Sequence, residues 1–177
     1  MIENHSDDVI IGERIRSGDH SAFAELYSRY KHGVYLFCTR FLGDNAASED
    51  VFQDVFLNCF EQLRSGKEIQ NLKGYLLSAA HNRCLNVIRD RKYPEDIDGM
   101  ADTLPTRDSD PALQQDLQAA LQQVSPDNRE ALLLCEYQGY SYEEIARITS
   151  VPVSTVRKRI FRARQKLRTL LSPDMIP

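Results

Sequence analysis

From His20 to Leu42 the residues Phe23, Leu26, Tyr30, Val34, Phe37 and Phe41 recur at steps of three or four. That period gathers apolar side chains on one face of a helix. It returns in Val51, Val55, Phe56, Cys59, Phe60 and Leu63, and again in Leu76, Leu77, Ala80, Cys84, Leu85, Val87 and Ile88. No segment alternates with the period of two that a half-buried strand needs. The spacing predicts an all-α chain, with Gly43 closing one helix and "GDN" turning into the next.

The pattern fails at "YPEDIDGMADTLPTRDSDP", which has three prolines, many acids and few large apolar residues. Such a stretch buries too little surface to offset its ordering entropy. The expected architecture is therefore two small helical domains, 1–92 and 111–177, joined by an acidic flexible linker over 93–110. Pro111 suits a first helical turn, and Ser125 with Pro126 is expected to start another helix.

The C-terminal stretch "SYEEIARITSVPVSTVRKRIFRARQKLR" reads as helix, turn, helix. Ser141 and Glu144 have the spacing of a capping box. Pro152 disfavours helical geometry in Val151 and so separates the two helices. In the second, Val156, Ile160, Ala163, Leu167 and Leu170 form one apolar stripe. Advancing about 100° per residue from Val156 puts Arg157 at about 100°, Phe161 at about 140°, Lys158 at about 200° and Arg162 at about 240°. An outward aromatic ring among basic residues suits a helix lying in the major groove of DNA. Ser154, Thr155 and the free amides of the first turn suit a phosphate.

The net charge of -4 is the wrong sign for a DNA reader, but the charge is uneven. Tyr93 to Asp116 carries seven acids against one base, and Tyr137 to Leu171 eight bases against two acids. Arg64 to Lys92 carries seven bases against two acids. Local charge governs contact with a polyanion. The four cysteines lie far apart inside helical patterns, so they read as reduced, buried thiols, with no metal set. No apolar run approaches the ~18 to 20 residues that span a bilayer. No secretory signal pattern opens the sequence, so a cytoplasmic place without membrane insertion is expected.

Four blocks, "GDHSAFAELYSRY", "SEDVFQDVFLNCF", "GYLLSAAHNRCLNVIRDRK" and "YSYEEIARITSVPVSTVRKRIFRARQKLR", resemble those of the extracytoplasmic function (ECF) sigma factors of bacterial RNA polymerase, in the same order. The resemblance implies promoter recognition and opening, with core RNA polymerase, promoter DNA and an anti-sigma factor as partners and no catalytic step or cofactor. It makes 1–92 sigma region 2 and 111–177 sigma region 4. By position, Asp50, Gln53 and Asp54 would meet the clamp helices of the polymerase largest subunit. Lys73, Tyr75, Asn82 and Arg83 would meet the −10 element, with Tyr75 in place of a usual Trp. Ser154, Thr155, Arg157, Lys158, Phe161 and Arg162 would meet the −35 element. "TSVPVS" departs from the family in lacking the glycines often found in this turn.

The alternative is a LuxR-like helix-turn-helix transcriptional regulator, which usually carries an α/β receiver or a ligand domain in front. Here the front is helical and has its own basic segment. A serine recombinase needs an α/β catalytic domain, and Ser6, Ser17, Ser21 and Ser28 have no supporting context. A helical adaptor binding only proteins would leave two basic segments unexplained. The chain is therefore expected not to be an enzyme.

Overall fold

The computed structural model describes residues 3–91 and 111–171. The expected linker, 93–110, lies outside the described residues. Eight helices account for nearly all the rest, and no strand occurs among the described residues. The first four are α1 (Glu3–Arg16), α2 (His20–Leu42), α3 (Asn45–Arg64) and α4 (Leu72–Arg91). Then come α5 (Pro111–Gln122), α6 (Pro126–Glu136), α7 (Tyr142–Thr149) and α8 (Val153–Leu170). The all-α expectation is met.

Local chemistry sets most helix ends. Asp19 caps α2 by accepting from the Ser21 amide, and Gly43 ends it in the left-handed region at φ 69°, where only glycine escapes a Cβ penalty. Asp44 caps α3 by accepting from Ala47. The Ser141–Glu144 capping box forms as expected. Ser125 occupies the cap position before Pro126, yet its hydroxyl makes no capping hydrogen bond. The start of α4 is served from a distance instead. Asp8 of α1, almost wholly buried, accepts from the Leu72 amide at 2.9 Å and from the Tyr30 hydroxyl at 2.5 Å. A carboxylate there also opposes the positive end of the α4 dipole.

Helices α1 to α4 pack around Leu26, Phe37, Phe41, Phe56, Leu63, Leu76 and Leu77, all buried. Helices α5 to α8 pack around Leu121, Leu133, Leu134, Ile145, Val156 and Ile160. The two groups do not stay apart, because their buried side chains form one continuous cluster. The end of α2 is the joint. Its last carbonyls have no partner inside the helix. Gln118 donates to Thr39 O at 3.1 Å and Gln122 to Arg40 O at 3.3 Å. Arg129, only 4% exposed, donates to the Phe41 carbonyl and to the carbonyls of Gln122 and Val124 at 3.0 and 2.9 Å. Burial pulls the Arg129 pKa down to about 10, so the side chain stays a cation at neutral pH. A cation at a helix C-terminus is also favoured by the dipole.

Candidate functional site

Helix α8 separates its two faces sharply. Val156, Ile160 and Ala163 are buried, whereas Ser154, Arg157, Lys158, Phe161 and Arg162 are exposed, and Thr155 is half-buried. Phe161 is 61% exposed beside a fully buried Ile160. Two other arginines of the helix are committed to protein. Arg159 bonds Asp127 at 2.6 Å and Arg164 bonds Glu136, both tying α8 to α6. Among the described residues, Arg157, Lys158 and Arg162 have no ion-pair or hydrogen-bond partner. The charge on this face is therefore free for a ligand, and an aromatic ring stands in its middle.

The turn before α8 bends at Ser150, which adopts the left-handed conformation at φ 54° in the place where glycine is usual. No side chain caps the first turn of α8. The first amides of a helix lack intrahelical acceptors, and a helix N-terminus of this kind can receive a phosphate oxygen.

A second surface lies across α3 and α4. Tyr75, Asn82 and Arg83 line an open cleft of about 340 Å³ together with Asn58, Ser78 and Asn86. Tyr75 is half-buried, burial raises its phenol pKa, and Lys67 Nζ stands 5.4 Å from the ring centroid. Asn58, Ser78 and Asn86 were not singled out in the sequence. Ser78, Asn82 and Asn86 do repeat at steps of four on α4, a polar ladder that would have pointed to two of them. Asn58 comes from α3 and had no such signal.

Lys73 is separate from that cleft. Its Nζ donates to Gln138 O at 2.8 Å and sits 4.9 Å from the Tyr140 ring centroid. Burial pulls its ammonium pKa below the ordinary lysine range. A residue expected to face a DNA backbone is thus engaged by the C-terminal half.

The third surface is the outer face of α3. Asp50, Gln53 and Asp54 are exposed there, backed by buried Val51, Phe52, Val55 and Phe56. Leu57 continues this face at 59% exposure, the most exposed large aliphatic side chain among the described residues. Asp54 also pairs with Arg83 of α4 at 3.2 Å, so the second and third surfaces meet at an edge. No group of His, Cys, Asp and Glu suited to a metal occurs among the described residues, and no described helix is long and apolar enough to cross a membrane.

These surfaces fall inside two family matches, Sigma-70 region 2 over residues 26–93 and Sigma-70, region 4 over residues 114–167. The RNA polymerase sigma-H factor of Pseudomonas aeruginosa is 32% identical, over 98% of this chain and 97% of its own. The chain belongs to the sigma-70 family. It is an RNA polymerase sigma factor, and its similarity to ECF members runs over nearly its whole length. The ECF sigma-E factor of Escherichia coli is 32% identical over 98% of each chain. The sigma factor CarQ of Myxococcus xanthus is 32% identical over 90% of this chain and 94% of its own. Among solved structures, the sigma factor RpoE of Bartonella quintana, in complex with the anti-sigma factor NepR, superposes with a TM-score of 0.74. It is 26% identical, over 86% of this chain and 98% of its own. CnrH, solved with the cytosolic domain of CnrY, superposes at 0.70 with 23% identity and supports the fold. The helix-turn-helix of this sigma factor is thus its region 4, and the LuxR-like alternative is not favoured.

Proposed function

We propose that this sigma factor divides promoter reading between its two halves, residues 1–92 serving the −10 element and residues 111–177 the −35 element. The observation that carries the reading is the outer face of α8. Three unpaired cations flank an exposed Phe161 there, with a fully buried stripe behind them. Arg157, Lys158 and Arg162 suit guanine edges and phosphates, and the Phe161 ring suits a thymine methyl. Ser154 and Thr155 sit where a phosphate would fix the register.

In the first half, Tyr75, Asn82 and Arg83 line a cleft with amide and hydroxyl groups that suit the edge of an unstacked base. Lys73 would join the DNA backbone only once released from Gln138. Asp50, Gln53 and Asp54, with Leu57 among them, form the surface for core polymerase. An exposed apolar side chain inside a polar rim is an arrangement that protein interfaces share. The protein acts by binding rather than by catalysis, in the cytoplasm, where core polymerase and promoters are. An anti-sigma factor is a further expected partner, since a structurally similar sigma factor was solved in complex with an anti-sigma factor.

The test is reconstitution with core polymerase on promoter templates. Arg157→Glu combined with Arg162→Glu should abolish promoter-specific starts while binding to core polymerase persists. Loss of polymerase binding in that variant would overturn the division of labour.

A further inference from the structure

We propose that Asp8 of α1 is a positioning residue for −10 recognition, fixing where α4 begins and so how the cleft between α3 and α4 is spaced. The inference rests on the reading of that cleft given above and adds to it a residue that does not line it.

The first turn of α4 needs acceptors from outside the helix, because its leading amides have none within it. One source is local. Asn71, just before the helix, accepts from the Gly74 amide at 2.8 Å through its side chain and from the Tyr75 amide at 3.0 Å through its carbonyl. Gly74 makes room for that side chain, since a Cβ there would stand 2.9 Å from the Asn71 amide nitrogen. The other source is remote. Leu72 is fully buried, so water does not serve its amide, and Asp8 Oδ2, 64 positions earlier in the chain, accepts from it at 2.9 Å.

Asp8 is itself held in place. It is 2% exposed, the Tyr30 hydroxyl donates to its Oδ1 at 2.5 Å, and Arg29 Nη1 stands 3.9 Å from the same oxygen. Burial, and then the neighbouring Asp8, keep the Tyr30 phenol above its ordinary pKa, so its proton stays in the bond. A buried carboxyl group is costly unless its oxygens are engaged. Here one oxygen is committed to α2 and the other to the first residue of α4. One side chain thus ties α1, α2 and the start of α4 at a single point.

Apolar packing does not fix the same quantity. Leu72, Leu76 and Leu77 press α4 against the bundle, but apolar contact is non-directional. It sets which face turns inward more firmly than where the helix stands along its axis. A hydrogen bond weakens steeply with misalignment, so a bond to the first amide sets the axial position. The cleft depends on that position. Tyr75, Ser78, Asn82 and Asn86 reach it from α4, whereas Asn58 reaches it from α3. A slip of one residue would move each α4 group by about 1.5 Å along the axis and about 100° around it. A recognition site needs its groups held within about 0.5 Å.

The experiment uses the full-length protein bound to core polymerase. The probes are a labelled single strand spanning the −10 element and a labelled duplex spanning the −35 element of the promoter used for reconstitution. Asp8→Asn keeps the size of the side chain and one accepting oxygen. Tyr30→Phe leaves Asp8 in place and removes the bond that orients it. Each should weaken binding of the −10 strand about five- to tenfold, while −35 duplex and polymerase binding change by less than about twofold. A parallel fall of all three in both variants reports a merely structural role and overturns the proposal. Unchanged −10 binding in both variants overturns it as well. Combining Asp8→Asn with Asn82→Ala should cost less than the product of the two single effects, because both act on one cleft. A loss equal to that product overturns the proposal. Asn82→Ala alone should weaken −10 binding. If it does not, the reading of the cleft fails, which is distinguishable from a failure confined to Asp8.

Discussion

Asp54 of α3 and Arg83 of α4 form a 3.2 Å ion pair between two half-exposed side chains. One belongs to the surface proposed for polymerase and the other to the cleft proposed for the −10 strand. The pair joins two tasks at one edge of the helical bundle. Its own worth is small, since exposed pairs contribute about 0 to 1 kcal/mol.

Asp54→Ala is accordingly expected to leave the unfolding midpoint almost unchanged and to weaken core polymerase binding several-fold. Arg83→Ala should do the reverse of the second effect, sparing polymerase binding while lowering initiation. Titration of labelled protein with core polymerase, beside transcription from one promoter, separates the two.

Phe161 and Ile160 are chain neighbours with opposite exposures. Phe161→Ala should leave stability within about 0.5 kcal/mol, as for surface changes generally. It should reduce promoter use about tenfold, the equivalent of about 1.4 kcal/mol in binding. Ile160→Ala should destabilise by about 2 to 5 kcal/mol through the cavity it leaves. Urea unfolding beside transcription assays checks both.

Asp8→Ala strands the Leu72 amide and the Tyr30 hydroxyl in the interior. A buried donor without an acceptor costs about 1 to 3 kcal/mol. The expected result is a lower denaturation midpoint, with early hydrogen exchange at the first turn of α4.

Asp19 carries a defined pH dependence. The Ser21 hydroxyl, and then Arg14, hold its carboxyl down at about 2, below the ordinary value of 3.8. The folded pKa is the lower one, so this stabilisation is fully present above about pH 4. It is lost as the pH falls through about 2. A carbon-detected NMR titration should place the Asp19 midpoint near there, and Ser21→Ala should move it upward.

Burial pushes the Cys59 thiol up to about 12, whereas Cys135 is only half-buried. Alkylation at pH 8 should therefore label Cys135 first and Cys59 only after unfolding. Mass spectrometry of digested protein after timed labelling reads the order.

The sequence alone determined the helices, the capping box at Ser141 and the outward turn of Phe161. These follow from local rules, helical period and side-chain reach over three or four residues, which act wherever such a segment folds. Leu57 was legible in the same way, on the face shared by Asp50, Gln53 and Asp54. Asn58 was not, because it joins Asn82 only through the packing of α3 on α4.

Only the tertiary structure decided what becomes of Lys73, His81, Arg129 and Glu130. In the sequence Lys73 is one base among seven in a basic segment, and nothing in the spacing of Arg129 and Glu130 sets them apart. Their partners lie far along the chain: Gln138 for Lys73, Phe41 for Arg129, and His81 for Glu130. No helical period carries information across such separations. Burial of an apolar face specifies that two groups of helices meet something. Which carbonyl is left open at the end of α2, and which guanidinium reaches it, depends on three-dimensional geometry. The same chain thus encodes the exposed basic face of α8 locally and the engagement of Lys73 only through the fold.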